Sequence, residues 1–188
     1  MKKYKHNIPN LLTILRIVFI PFFVYSALKE YYLTSMILFV FASLTDAFDG
    51  MIARKYNYVS NFGKMFDPLA DKLLVVAALL IFVYWDVLSW WIVAIILLRE
   101  IFLTLYRNYL SRKNIVLAAN IFGKIKTTEQ MVAIIITLVY KVYISFFIEP
   151  IPFISTGIIW LFYLAAFLSW FSAAIYLKQT WRKNTNEN

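Results

Sequence analysis

Apolar residues run through this chain in long blocks separated by brief polar breaks. They do not alternate at the period of a strand or of a half-exposed helix. A helix that crosses the hydrocarbon of a bilayer needs about 20 such residues. Six blocks approach or exceed that length: Leu11–Leu28, Leu33–Ile52, Asp67–Trp85, Leu88–Tyr109, Ile125–Phe147 and Ile154–Leu177. The pattern therefore predicts an all-α integral membrane protein with six transmembrane helices. The breaks after the first, third and fifth blocks are short: Lys29–Tyr32, Asp86–Val87, and Ile148–Phe153 with Pro150 and Pro152. The breaks after the second and fourth are longer and basic. No repeat, low-complexity stretch or shift in composition marks a boundary, so residues 1–188 read as a single membrane domain, with residues 178–188 a flexible polar tail. Basic residues followed by an apolar run at Met1–Leu28 imitate a signal peptide. The run meets Lys29, Glu30 and Tyr31 in place of a small-residue cleavage site, and it is read as a retained first span.

Composition agrees with this picture. Hydrophobic residues make up 62% of the chain and charged residues 15%, too few charges for a soluble domain. The mean hydropathy is +0.71. With 4 glycines and no glycine-rich fingerprint, a soluble nucleotide-binding α/β domain is disfavoured. The absence of cysteine excludes disulfides and thiolate metal sites. His6, the one histidine, lies in the basic N-terminal stretch and reads as a solvated residue. The net charge of +9 suits anionic headgroups or phosphorylated substrates. Nucleic acid is disfavoured, because the charges are not gathered on a soluble module. Their placement sets an orientation: of 19 Lys and Arg, only Lys29 and Lys141 fall on the side of the short breaks. The positive-inside rule then puts both termini and both long loops in the cytoplasm.

Four acids stand out against this background. Asp46, Asp49, Asp67 and Asp71 lie within 26 residues, near the cytoplasmic ends of the second and third predicted spans. Ionised carboxylates beside hydrocarbon are costly unless paired or holding a cation. Asp46, Asp49, Gly50 and Ala53 follow i, i+3, i+4, i+7, one stripe of a helix. The two small side chains let a bulky group lie against the backbone. Asp67 and Asp71 are i, i+4, and Gly63 continues that spacing one step back. Opposed, the two faces would form an all-oxygen cage suited to a pair of hard cations, Mg2+ or Mn2+, and paired cations commonly serve phosphoryl chemistry. The plainer readings are that Asp67 before Pro68 is a helix N-cap and that Asp46 pairs with an arginine.

From Asp46 to Asp71 the sequence reads DAFDGMIARKYNYVSNFGKMFDPLAD. This resembles the signature of the CDP-alcohol phosphotransferases, whose eight fixed positions are matched by Asp46, Asp49, Gly50, Ala53, Arg54, Gly63, Asp67 and Asp71. Eight spaced matches are a specific signal, and the six spans fit the family as well. The resemblance implies that the aspartates bind two metals holding the diphosphate of a CDP-linked donor. It implies that Asp71 is the general base, that Gly50, Ala53, Arg54 and Gly63 belong to the donor site, that CMP is released, and that the protein is a homodimer. Three further segments resemble the branch that uses CDP-diacylglycerol as donor and glycerol 3-phosphate as acceptor: Asn7 to Arg16, Arg99-Glu100-Ile101, and Gly123 to Met131. In one departure, Leu105 and Tyr106 stand where the family often has a glycine before the arginine matching Arg107.

The basic residues support a phosphate-bearing acceptor independently. Arg99, Arg107, Lys124 and Lys126 cluster at the cytoplasmic half and end of the fourth span and the start of the fifth. Arginine offers a planar fork for phosphate oxygens and lysine a point charge. Glu100 and Glu129 could hold these bases in position. The positive-inside rule by itself accounts for Arg112 and Lys113. Asn10, Thr13 and Arg16 recur every third residue on one face; the resemblance implies that they are donor contacts, with an N-cap role for Asn10 the plainer alternative. Trp85, Trp90 and Trp91 read as interfacial anchors. Serine, inositol phosphate or phosphatidylglycerol are competing acceptors, and serine would not need the basic cluster. A divalent-cation transporter would need polar ligands through the whole depth of the bilayer, which the outer halves of these spans lack.

Overall fold

The computed structural model describes residues 8–56, 61–113, 121–147 and 149–186, with side chains described for residues 13–45, 69–113, 125–147, 149–178 and 180. Six helices and no strand occur among them: α1 (Ile8–Leu28), α2 (Tyr32–Tyr56), α3 (Asn61–Tyr84), α4 (Trp90–Arg112), α5 (Ile121–Phe147) and α6 (Pro152–Asn186). Each apolar block forms one helix, because a continuous apolar stretch satisfies its backbone polar groups most locally in that form. Among the described residues, Ile125–Phe147 and Pro152–Lys178 are long and apolar enough to cross a membrane, and Thr13–Leu28 and Tyr32–Thr45 are apolar over shorter lengths. Only 33% and 39% of the two long windows is buried inside the protein. That exposure suits a lipid-facing helix better than the core helix of a soluble domain.

Two element boundaries differ from expectation. Helix α3 starts at Asn61, six residues before Asp67, so the Asp67-Pro68 pair lies inside the helix and does not begin it. Helix α6 runs past the apolar window to Asn186, so helix continues through most of the polar tail expected to be flexible. No glycine or proline interrupts residues 158–186, and Lys, Gln and Arg are good helix formers.

The chain divides into two compact units, Met1–Phe82 with Ile135–Glu149, and Val83–Ile134 with Pro150–Asn188. The division falls within the unbroken helix α5, so no linker in the sequence announces it.

In the first unit, α1 and α2 form an antiparallel pair. Helix α1 ends with Tyr31 N–H donating to the Ser26 carbonyl and Glu30 N–H to that of Ala27, while Glu30 takes a left-handed φ of 58°. This closure satisfies terminal carbonyls and turns the chain back. Phe23 meets Phe39 with ring centroids 5.6 Å apart, and the Ser26 and Ser35 hydroxyls share a hydrogen bond of 2.9 Å. In the second unit, α4 packs on α6 around Leu103, Leu110, Ala173 and Tyr176, with Tyr106 against them.

Candidate active site

Among the described residues, α1 buries Thr13, Arg16, Phe23, Ser26 and Ala27, and Thr13, Arg16, Phe23 and Ala27 form a stripe at steps of three, seven and four. Among those of α2, Ser35, Phe39 and Ala42 are buried. On the same unbroken helix the steps of four and three continue from Ala42 to Asp46, Asp49 and Ala53. In helical register the two positions continue the stripe of Ser35, Phe39 and Ala42. Among the described residues of α3 the buried set is Ala70, Leu74, Ala78, Leu79, Ile81 and Phe82, and the half-buried Asp71 shares a face with Leu74 and Ala78 at i+3 and i+7. Asp67 sits one turn before Asp71, and Gly63 one turn before that, on continuous helix. The side chains of Asp46, Asp49 and Asp67 lie outside the described residues, as do those of Asn10, Gly50, Ala53, Arg54, Gly63 and Lys124.

The pairing of α1 with α2 fixes their levels. Ser26 faces Ser35 and Phe23 faces Phe39. Both helices rise about 1.5 Å per residue, so Arg16 comes to the level of Asp46 and Thr13 to that of Asp49. Thr13 and Arg16 are both fully buried. The structure thus brings two of the expected donor-site residues to the depth of the first acidic pair. Asn10 lies within α1, so it is not that helix's N-cap. The oxygen-only donor set fits a hard divalent cation: four carboxylates at helical spacings, each pair on one face of an unbroken helix.

In the second unit a compact ionic cluster links three helices. Helix α4 buries Ile92, Ile96, Arg99, Leu103 and Leu110 along one stripe, which carries Arg99 inward. Arg99 donates from Nε to the Ser169 carbonyl of α6 at 2.8 Å and from Nη1 to Glu100 Oε1 at 2.8 Å. Lys126 of α5 donates from Nζ to the same Glu100 oxygen. The Arg99 and Lys126 side chains are each 6% exposed, and Glu100 is 27% exposed. Arg99 and Lys126, expected together from the sequence, are brought to one carboxylate.

Arg107 is not among the contacts of Glu100. It is exposed and its guanidinium stacks over the Tyr176 ring, 5.1 Å from the centroid, eight residues or about 12 Å along α4 from Arg99. Glu100 ties the bases as anticipated. Glu129 does not: its carboxylate oxygens are buried and make no hydrogen bond among the described residues. Ser169 was missed in the sequence. Its partner atom is a backbone carbonyl, which no residue type reveals. A serine at Ser169 and another at Ser172, both buried inside the apolar last block, were the available signal, since polar side chains in such helices turn inward.

Residues 6–177 match the CDP-alcohol phosphatidyltransferase family, and the chain belongs to that family. The apolar helices together with the family point to a membrane protein. Among its relatives, the CDP-diacylglycerol–glycerol-3-phosphate 3-phosphatidyltransferase of Bacillus subtilis is 37% identical, over 97% of this chain and 99% of its own length. The proteins of the same name from Wigglesworthia glossinidia brevipalpis and Sodalis glossinidius are 36% and 37% identical, over 94% and 91% of this chain and 96% and 93% of their own lengths.

Proposed function

We propose that this protein transfers the phosphatidyl group of CDP-diacylglycerol to glycerol 3-phosphate, forming phosphatidylglycerophosphate and releasing CMP. The observation that carries the reading is end-to-end similarity to relatives named for this reaction, in a chain whose eight signature positions keep helical spacing on α2 and α3. The buried bases Arg99 and Lys126 support an acceptor that carries a phosphate.

In this reading Asp46, Asp49, Asp67 and Asp71 would hold two divalent cations, Mg2+ or Mn2+, whose chemistry is to offset the diphosphate charge and stabilise departing CMP. Thr13 and Arg16, with Asn10, Gly50, Ala53, Arg54 and Gly63, bind the CDP moiety. Arg99 and Lys126, with Arg107 and Lys124, hold the acceptor phosphate and so aim its hydroxyl at the donor. Such positioning can supply several kcal/mol, of the roughly 7–11 available from orientation. The hydroxyl oxygen forms a bond to the β-phosphorus as the bond to the bridging oxygen breaks. CMP keeps that electron pair, and the hydroxyl proton passes to Asp71.

The six helices are read as six spans with both termini cytoplasmic, in the cell membrane. Support comes from the 17 of 19 basic residues on one side, which places the acids at the inner headgroup level, where a soluble acceptor can meet a lipid donor. A homodimer is read from the family resemblance. The test is to offer purified protein CDP-diacylglycerol with glycerol 3-phosphate, inositol phosphate, serine or phosphatidylglycerol and to measure CMP release. Release that requires glycerol 3-phosphate is expected. Release with serine alone would reassign the acceptor.

A further inference from the structure

Glu100 touches both Arg99 and Lys126, two buried bases of the second unit. It accepts from Arg99 Nη1 at 2.8 Å and from Lys126 Nζ through the same oxygen, joining α4 to α5. Arg99 is anchored from its other side by the Ser169 carbonyl of α6. Without the carboxylate, two like charges, each 6% exposed, would face each other, and such charges move apart or toward water. The residue therefore decides where the two cationic heads sit.

A purely structural ion pair would use up its donors. Here a guanidinium has five N–H groups, and Arg99 directs only Nε and one N–H of Nη1 to protein partners, leaving three without one among the described residues. On α6 and α5, buried Ser169 Oγ and Gln130 Nε2 also make no hydrogen bond among the described residues. Lys126, Glu129 and Gln130 follow i, i+3, i+4 on α5, so the amide lies one turn along the face that carries the lysine. Unused polar capacity at this depth is costly unless a ligand or water takes it.

We propose that Glu100 is a positioning residue for the acceptor: it fixes Arg99 and Lys126 as a preorganised cation pair, and the remaining N–H groups of Arg99 bind the acceptor phosphate. This rests on the transferase reading above. Glu100 touches the two bases and acts on substrate through them.

The test is steady-state kinetics of Glu100→Gln, Lys126→Gln and the double variant in detergent–lipid micelles. Loss of the charge should raise KM for glycerol 3-phosphate about tenfold or more, the scale of a lost charge-assisted hydrogen bond. KM for CDP-diacylglycerol should stay within about twofold, and inhibition by inorganic phosphate should weaken in parallel with the acceptor. Because Glu100 and Lys126 act through one shared contact, the double variant should raise the acceptor KM by clearly less than the product of the two single effects. If Glu100→Gln does not purify, Glu100→Asp keeps the charge but draws it back by one methylene, and it should show a smaller shift, again confined to the acceptor. A lowered Tm with unchanged acceptor KM, or additive effects of the two single changes, would overturn the positioning role while leaving the transferase reading intact. Wild-type protein that releases CMP with an uncharged alcohol but not with glycerol 3-phosphate would sink both.

Discussion

Asp71 continues the face of α3 that buries Leu74 and Ala78, so its carboxyl is directed with the interior of its unit while remaining half-buried. A proton acceptor in that position has to reach substrate without being drowned in solvent. Asp71→Asn keeps the shape and removes the basicity. Turnover is expected to fall by about 10²–10⁴-fold, the usual worth of general-base help, with CDP-diacylglycerol binding largely retained. CMP release beside binding of labelled donor checks this, and unchanged turnover would end the assignment. Arg16, fully buried at the level of Asp46, makes a second residue-scale case. Arg16→Lys preserves charge but loses the planar fork. KM for the CDP-lipid is expected to rise roughly tenfold, with the acceptor KM unmoved. The identity of these side chains was legible in the motif. The burial of Arg16 was not, because a basic residue near the start of an apolar block reads equally well as snorkelling to the headgroups.

At the scale of elements, the α1–α2 pair depends on small residues. Ala27, Ser26, Ser35 and Ala42 are all buried along the contact, beside the Phe23–Phe39 ring pair. Helices in an apolar surrounding gain little from hydrophobic exclusion and hold together by close packing and hydrogen bonds such as Ser26–Ser35. Ala42→Leu puts a large side chain one turn before Asp46 on the inward stripe. It is expected to destabilise the protein by about 1–3 kcal/mol and to reduce activity with it. Thermal unfolding in detergent should register that loss. Phe41→Leu, on the exposed neighbour, should change unfolding little. The stripe of Ser35, Phe39, Ala42, Asp46, Asp49 and Ala53 explains why the motif spacing matters: one extra or missing residue would turn the acids away from the face that α2 buries.

At the scale of the whole molecule, charge distribution and site chemistry make separate predictions. A reporter fused at the C-terminus is expected to be reached by impermeant label only from the cytoplasmic side of membrane vesicles, since 17 of 19 basic residues favour that side. Equal labelling from both sides would remove the proposed orientation. Chelation with EDTA is expected to abolish CMP release, and added Mg2+ to restore it, if the carboxylates work through cations. Full turnover in the chelator would separate the acids from metal chemistry.

The six helices were legible because unbroken apolar blocks leave the backbone few alternatives, and the family signature was legible because its spacing is that of one helical face. Sequence alone also separated the two groups of charges, acids on the second and third helices and bases on the fourth and fifth. The start of α3 ahead of Asp67 was not legible, since Asp-Pro reads locally as a helix beginning and only the continuing turns overrule it. Nor was the division of α5 between two units, or where Arg99, Lys126 and Arg107 would find their partners. Arg99 and Lys126 meet on Glu100, whereas Arg107 turns to the Tyr176 ring. Which carboxylate, carbonyl or ring a cation finds depends on contacts between helices far apart in the chain, and such distances exist only once the helices have packed.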